Sequence, residues 1–287
     1  MTDRLELDSV SFSYPNGRLA LEGVSLEIAA GERVAIVGQN GSGKSTMALH
    51  LNGLLRPSTG RVLLAGADIR AASTAELAGR VGLLFQNPDL QLFEERIRSE
   101  VEFGPGNLGI SGAHLEQVVD AALEATGLSA NADANPFVLG FSRRKMVALA
   151  SVLAMDTGIL VLDEPTTGQD APGIRRVEEI VAGAAGRGRT VIAISHDLRF
   201  VAENFDRIIV LGLGRVVLDG PPEVVFDGSA AAILAGSNLE PPPAVRAGAW
   251  FGLGCTPTEA GFVAAYLARH GPNPHQPEIP PGALPGD

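Results

Sequence analysis

A short apolar run, Arg33–Val37, leads into Gly38-Gln39-Asn40-Gly41-Ser42-Gly43-Lys44-Ser45 and then into a helical pattern through Met47, Leu51 and Leu54. Strand, glycine-rich loop and helix in that order fit the pattern G-x-x-x-x-G-K-[ST] in the context that gives it meaning. Glycines let successive backbone N–H groups turn toward one anion with no Cβ in the way. The helix N-terminus adds partial positive charge. Lys44 is placed to reach β- and γ-phosphates and Ser45 to ligate Mg²⁺. The phosphate-binding set is thus Gly38, Gln39, Asn40, Gly41, Ser42, Gly43, Lys44, Ser45 and Thr46. Alone, such a loop leaves kinases, GTPases, helicases and transport ATPases open.

The rest of the chain narrows the choice. Ile159–Leu162 is an apolar strand that ends in Asp163-Glu164-Pro165-Thr166, and Thr190–Ile194 is another, followed by Ser195-His196-Asp197. In a parallel sheet the carboxyl ends of strands line the ligand crevice. Asp163 there can hold Mg²⁺ through water, and Glu164 can polarise an attacking water. His196 is placed to donate to the γ-phosphate. Gln86 follows a further strand, Val81–Phe85.

Elsewhere the pattern alternates. Leu5, Leu7, Val10 and Phe12 lie near period two, Pro15-Asn16-Gly17 is turn chemistry, and Ala20–Ile28 is again strand-like. Pro57–Gly60 reads as a loop and Arg61–Leu64 as a strand. From about Asn87 to Asn135 the pattern is helical, with Leu115, Val118, Val119, Ala122 and Leu123 on one face. Residues 143–155 and 174–185 read as helices and Arg207–Leu211 as a strand. Beyond Pro221 the chain turns Gly/Pro/Ala-rich, keeps a helix over Thr258–Arg269, and ends in a proline-rich stretch, Pro272–Asp287, that reads as disordered.

Together the phosphate loop, Gln86, Asp163-Glu164, Gly168-Gln169-Asp170 and His196 resemble the nucleotide-binding subunits of ABC transporters, in order and rough spacing, over about residues 4–225. A narrower likeness lies in Phe85-Gln86-Asn87-Pro88-Asp89-Leu90-Gln91-Leu92-Phe93, Phe103-Gly104-Pro105 and Asn107-Leu108-Gly109, which look like the energy-coupling factor (ECF) ATPases, cobalt/nickel importer ATPases among them. Leu239–Pro243 looks like their dimerising extension.

The resemblance implies an α/β fold: a P-loop ABC ATPase core with a parallel sheet and an N-terminal antiparallel β subdomain. Residues 1–225 would form the ATPase domain, with a helical subdomain inserted over about 87–146, and 226–287 a C-terminal extension. It implies ATP and Mg²⁺ as ligands, with Tyr14 stacking on adenine and Ser45, Gln86 and Asp163 serving the metal. Glu164, His196 and Lys44 would carry catalysis, and Asp170 would lie at the seam between two ATPase subunits. A membrane T component and a substrate-specific S component complete the implied assembly. Residues 87–93 would lie near the groove that accepts the T component's coupling helix. The chain would sit peripherally at the cytoplasmic face of the cell membrane and energise uptake of a vitamin or transition-metal ion.

One motif departs from the family. ABC ATPases cap the ATP of the other subunit with Leu-Ser-Gly-Gly-Gln, and here that stretch is Leu139-Gly140-Phe141-Ser142-Arg143. Gly140 replaces the serine, and Phe141 and Ser142 replace two glycines. One charge-assisted hydrogen bond of roughly 1.5–3 kcal/mol is lost, worth tens-fold in rate if it acts in the transition state. Ser142 reads as the N-cap of a helix starting near Arg143, with Arg143, Arg144 and Lys145 in its first turn, against the dipole, either because an anion is near or as a solvated basic patch. A complete cis half-site and a weakened trans half-site favour a heterodimer. The alternatives are a nucleotide-binding regulatory subunit, or a non-transport ABC ATPase, with weak hydrolysis. A small-molecule kinase would not need residues like those at 85–93 and 196 together.

Composition fits a core-rich protein. Of 287 residues, 45% are hydrophobic and 19% charged, enough for a large core. A net charge of −11 argues against unspecific nucleic-acid binding and against direct docking on anionic lipid. No apolar run approaches the ~18–20 residues of a membrane span, so no direct insertion into lipid is expected. Cys255, the single cysteine, fits a reducing compartment. The opening MTDRLELDSV does not read as a signal peptide.

Overall fold

The structure, a computed structural model, describes residues 4–271. Strands β1 (Leu5–Ser13) and β2 (Leu19–Ile28) form an antiparallel pair whose register sets Leu5 opposite Ile28, Leu7 opposite Leu26 and Val10 opposite Val24. All six are buried, so the pairing puts one apolar face inward. After β3 (Arg33–Val37) and α1 (Lys44–Leu51), β4 (Thr59–Leu64) adds to the free edge of β1, and β5 (Ala67–Asp68) closes a four-stranded sheet in the order β2-β1-β4-β5.

β4 starts two residues before the expected strand. Gly60 makes this workable: its φ is +77°, and a Cβ there would stand 2.3 Å from the Ser9 carbonyl oxygen. Ser9 itself has φ +53°, and the register shifts between Asp8 and Ser11. The expected loop is therefore a bulged strand start.

The short helix α2 (Thr74–Ala78) precedes β6 (Val81–Leu84). The expected helical stretch from Asn87 to Asn135 divides into α3 (Ile97–Asn107) and α4 (Gly112–Thr126). Residues 91–96 are not helical because their backbone bonds elsewhere: the buried Glu100 carboxylate accepts the main-chain N–H of Phe93 at 2.9 Å and of Glu94 at 2.8 Å. α5 (Phe141–Ala154) packs on α3 and α4.

β7 (Ile159–Asp163), α6 (Ala171–Gly186), β8 (Thr190–Ile194), α7 (Leu198–Asn204), β9 (Arg207–Gly212) and β10 (Arg215–Gly220) complete a six-stranded sheet in the order β10-β9-β3-β8-β7-β6. The five strands β9, β3, β8, β7 and β6 are parallel and β10 is an antiparallel edge. Period two explains the unbroken apolar runs. Val34, Ile36, Ile159, Val161, Ile192 and Ile194 face the core shared with the first sheet and α1. Ala35, Val37, Leu160, Leu162, Val191 and Ala193 face the core shared with α5, α6 and α7. With both faces covered, alternation disappears.

β10 is not anticipated by the sequence reading; as an edge strand its residues are exposed or half-buried, and its apolar stretch is only Val216–Leu218. Beyond it lie α8 (Pro222–Val225), α9 (Ala231–Gly236), α10 (Pro243–Trp250) and α11 (Glu259–His270), the last close to expectation with Thr258 as N-cap. The Pro272–Asp287 stretch lies outside the described residues. Among the described residues no helix is long and apolar enough to cross a membrane.

Candidate nucleotide site

Strand order assembles the site. The loop after β3, the pair ending β7, the histidine after β8 and the glutamine after β6 leave the carboxyl ends of neighbouring parallel strands. The phosphate loop spans β3 to α1. A Cβ at Gly38 would stand 2.2 Å from the Leu211 carbonyl oxygen, and one at Gly43, whose φ is +106°, 2.4 Å from that of Ala20. Only glycine fits either position. Gly43 caps α1 without a side chain, and no acidic residue occupies the first turn, so the helix N–H groups stay available to an anion. Lys44 Nζ donates to the carbonyl oxygens of Gly38 at 2.8 Å and Gln39 at 3.0 Å. Burial lowers its pKa, while the Glu164 and Asp163 charges raise it. The Ser42 hydroxyl is buried with no hydrogen-bond partner.

Asp163 ends β7 and is 6% exposed. Burial raises its pKa; Ser45 lowers it. Its Oδ1 is buried without a partner. An orphaned carboxylate oxygen beside a serine hydroxyl, facing the phosphate loop, suits a hard divalent cation with oxygen ligands. Gln86 and Ser45 line one cavity beside the phosphate loop. Among the described residues no cluster of three His, Cys, Asp or Glu side chains forms a metal site.

Glu164 is buried in a left-handed backbone conformation, φ +52°. Its N–H donates to the Ile194 carbonyl at 2.8 Å, so β8 still holds the chain after it leaves the ladder. Its Oε2 takes a hydrogen bond from the exposed His196 Nδ1 at 2.7 Å and a longer one, 3.3 Å, from the Thr167 hydroxyl. Lys44, Ser45, Gln86 and Glu164 line one cavity of about 290 Å³ with Tyr14 and Asn40. A wider groove of about 830 Å³ continues past Gln39, Gln86 and His196 to Leu239–Pro243 and Arg246. Tyr14 hydrogen-bonds the Thr46 hydroxyl at 2.9 Å and meets Phe12 edge to face, with ring centroids 5.0 Å apart.

The 139–145 segment differs from expectation. α5 begins at Phe141 and Gly140 is its N-cap; Ser142 is not. The Ser142 hydroxyl donates to Gln169 Oε1 at 2.8 Å, and Gln169 Nε2 returns a bond to the Ser142 carbonyl at 3.1 Å. The Phe141 ring lies where a Cβ on Gly168 would approach it to 2.7 Å. Nor do Arg143, Arg144 and Lys145 form one basic patch. Arg143 is exposed and bonds Asn131 at 2.7 Å. Arg144 bonds the Leu139 carbonyl at 2.7 Å and pairs with Asp89 at 2.9 Å. Lys145 is buried, with Nζ donating to the main-chain oxygens of Gln86 and Glu164. Its spacing with Ala148, Leu149 and Val152 on the apolar stripe is the sequence signal that marks it as interior. Asp170 caps α6, accepting from Gly173 N–H at 2.9 Å. Leu90, Phe93 and Phe103 are exposed, the two rings edge to face at 4.7 Å.

This geometry has known counterparts. A family model described as ABC transporter matches residues 21–167. The energy-coupling factor transporter ATP-binding protein EcfA2 of Symbiobacterium thermophilum is 46% identical over 215 residues, 72% of this chain and 75% of that one. A putative ABC transporter ATP-binding protein of Methanosarcina acetivorans is 43% identical over 209 residues, 73% of this chain and 34% of that protein, so the chain spans about a third of that relative. Among solved structures, cbiO1 from Clostridium perfringens, part of the ABC transporter complex cbiONQ, aligns with TM-score 0.71 and 35% identity over 80% of this chain and 93% of that one.

Proposed function

The chain belongs to the ABC transporter family of ATPases, and we propose that it is the ATP-binding and ATP-hydrolysing subunit of an ECF-type importer. The observation that carries this reading is the convergence of Lys44, Ser45, Gln86, Asp163, Glu164 and His196 at the ends of four neighbouring parallel strands. ATP is the nucleotide that such a loop and acid pair would turn over. In this reading the ATPase unit is 1–225, its helical part about 87–146, and 226–287 an extension that helps pair subunits.

On nucleotide binding, Lys44 exchanges the Gly38 and Gln39 carbonyls for β- and γ-phosphate oxygens, and the loop amides neutralise the remaining charge. Tyr14 faces the base. Ser45, Gln86 and Asp163 would hold Mg²⁺, which when bound would supply neutralising charge to the phosphates. Glu164 orients the attacking water and takes its proton; its carboxylate is held in place by His196 and Thr167. His196 then also meets the γ-phosphate. Asp170 lies at the seam, where a second ATPase subunit closes on the nucleotide.

Closure and reopening drive the membrane partners. The exposed Leu90, Phe93 and Phe103 suit docking of an apolar element of the T component, and the S component selects a vitamin or transition-metal ion. The chain thereby sits at the cytoplasmic membrane face through its partners. Gly140 supplies no hydroxyl to a facing nucleotide, which supports a heterodimer whose partner carries an intact Leu-Ser-Gly-Gly-Gln motif. ATP turnover of the chain alone, compared with the chain plus the ATPase co-purified from membranes with it, tests this: stimulation supports the reading, and a homodimer with full transport-coupled turnover contradicts it.

A further inference from the structure

Lys145 is among the largest fully buried side chains of the protein, at 1% exposure. A buried ammonium is costly unless its donors are used. Here Nζ donates to the Gln86 carbonyl at 3.1 Å and to the Glu164 carbonyl. These two residues follow β6 and β7, which pair as far as Leu84 opposite Leu162. Past that point the ladder between the two segments stops, and the ammonium joins them instead. Glu164 is also the residue in the left-handed conformation, which turns its carbonyl away from the strand direction. The Phe141 ring centroid stands 5.9 Å from Nζ, and a Cβ on Gly168 would approach the same ring to 2.7 Å.

We propose that Lys145 is a positioning residue of the hydrolysis site: by tying the main-chain carbonyls of Gln86 and Glu164 together, it sets the cation-side glutamine and the catalytic carboxylate in one fixed relation and couples both to α5. An apolar side chain of the same length would fill the space without fixing either carbonyl. Because Gly140 and Phe141 begin the same helix, displacement of that end of α5 by a facing subunit reaches Glu164 through one side chain. The inference rests on the reading of Glu164 as the base given above.

The test compares full-length wild type, Lys145→Met, Lys145→Gln and Glu164→Gln in ATP hydrolysis, with hydrogen exchange of the main-chain amides. Losing two hydrogen bonds from a charged donor should lower kcat of Lys145→Met by about tenfold or more, with KM for ATP within about twofold. Lys145→Gln keeps an amide donor of shorter reach and should fall between the two. Amides of residues 85–91 and 163–168 should exchange about tenfold faster in Lys145→Met, with β8 unchanged. A Lys145→Met kcat within twofold of wild type, or a loss confined to KM, overturns the proposal. Should Lys145→Met not fold, Lys145→Gln decides: a lowered kcat at constant KM supports it, and wild-type kcat with wild-type exchange at 85–91 and 163–168 overturns it. Equal hydrolysis by wild type and Glu164→Gln instead rejects the base assignment, whereas an inert Glu164→Gln beside a fully active Lys145→Met rejects only the role of Lys145.

Discussion

His196 Nδ1 stands 2.7 Å from Glu164 Oε2, so the exposed residue after β8 holds the buried carboxylate after β7. In this contact the imidazole donates and the carboxylate oxygen accepts. The bond gives Glu164 a fixed direction before nucleotide arrives. Replacing His196 with Ala should lower kcat by about 10- to 100-fold, the worth of one charge-assisted hydrogen bond in a transition state. Nucleotide affinity, measured by equilibrium titration with a non-hydrolysable analogue, should fall far less. A loss of affinity with kcat unchanged would place His196 in ground-state binding alone.

Gly140→Ser should restore a hydroxyl where the family pattern has one. The site has room: a Cβ at Gly140 meets no atom within 4 Å, and the residue's φ of −65° suits any amino acid. Serine is a slightly better N-cap than glycine, so stability should hold or rise by a few tenths of a kcal/mol. Turnover in the assembled pair should rise, by about tenfold if the hydroxyl acts in the transition state. Steady-state hydrolysis and a melting curve check both halves.

Glu100 provides a pH signature away from the nucleotide. Burial raises its pKa above the ordinary carboxylate range, against the two amides of Glu94 and Phe93 that lower it. The folded state therefore binds this proton more tightly than the unfolded chain. Its contribution to stability is fully present below the unfolded pKa and falls as pH rises through the folded value. Glu100→Gln, which cannot ionise but still accepts a hydrogen bond, removes that slope. Denaturant unfolding from about pH 4 to pH 7 should show the variant gaining on wild type as pH rises.

The legible and illegible parts of the molecule differ physically. Arg33–Val37, Ile159–Asp163 and Thr190–Ile194 announce themselves because strands covered on both faces carry uninterrupted apolar runs. The phosphate loop is legible because its glycines answer to backbone approach, a local demand. Long-range demands are not. Lys145 carries a charge and so reads as surface, although its helix stripe is interior. Ser142 has good capping chemistry, yet its hydroxyl serves Gln169, 27 residues away. Residues 91–96 look helical until the Glu100 carboxylate takes two of their amides. Strand β10 and helices α8 to α10 are too short to show a period.

The central claim is that this chain hydrolyses ATP with Glu164 as the base. Glu164→Gln keeps the shape and the His196 contact but cannot take a proton. Binding of ATP and its hydrolysis, measured together in the assembled subunit pair, should separate: affinity kept within a few-fold, and turnover at the mutated site down by about 100-fold or more. Hydrolysis near the wild-type rate in Glu164→Gln would contradict the account.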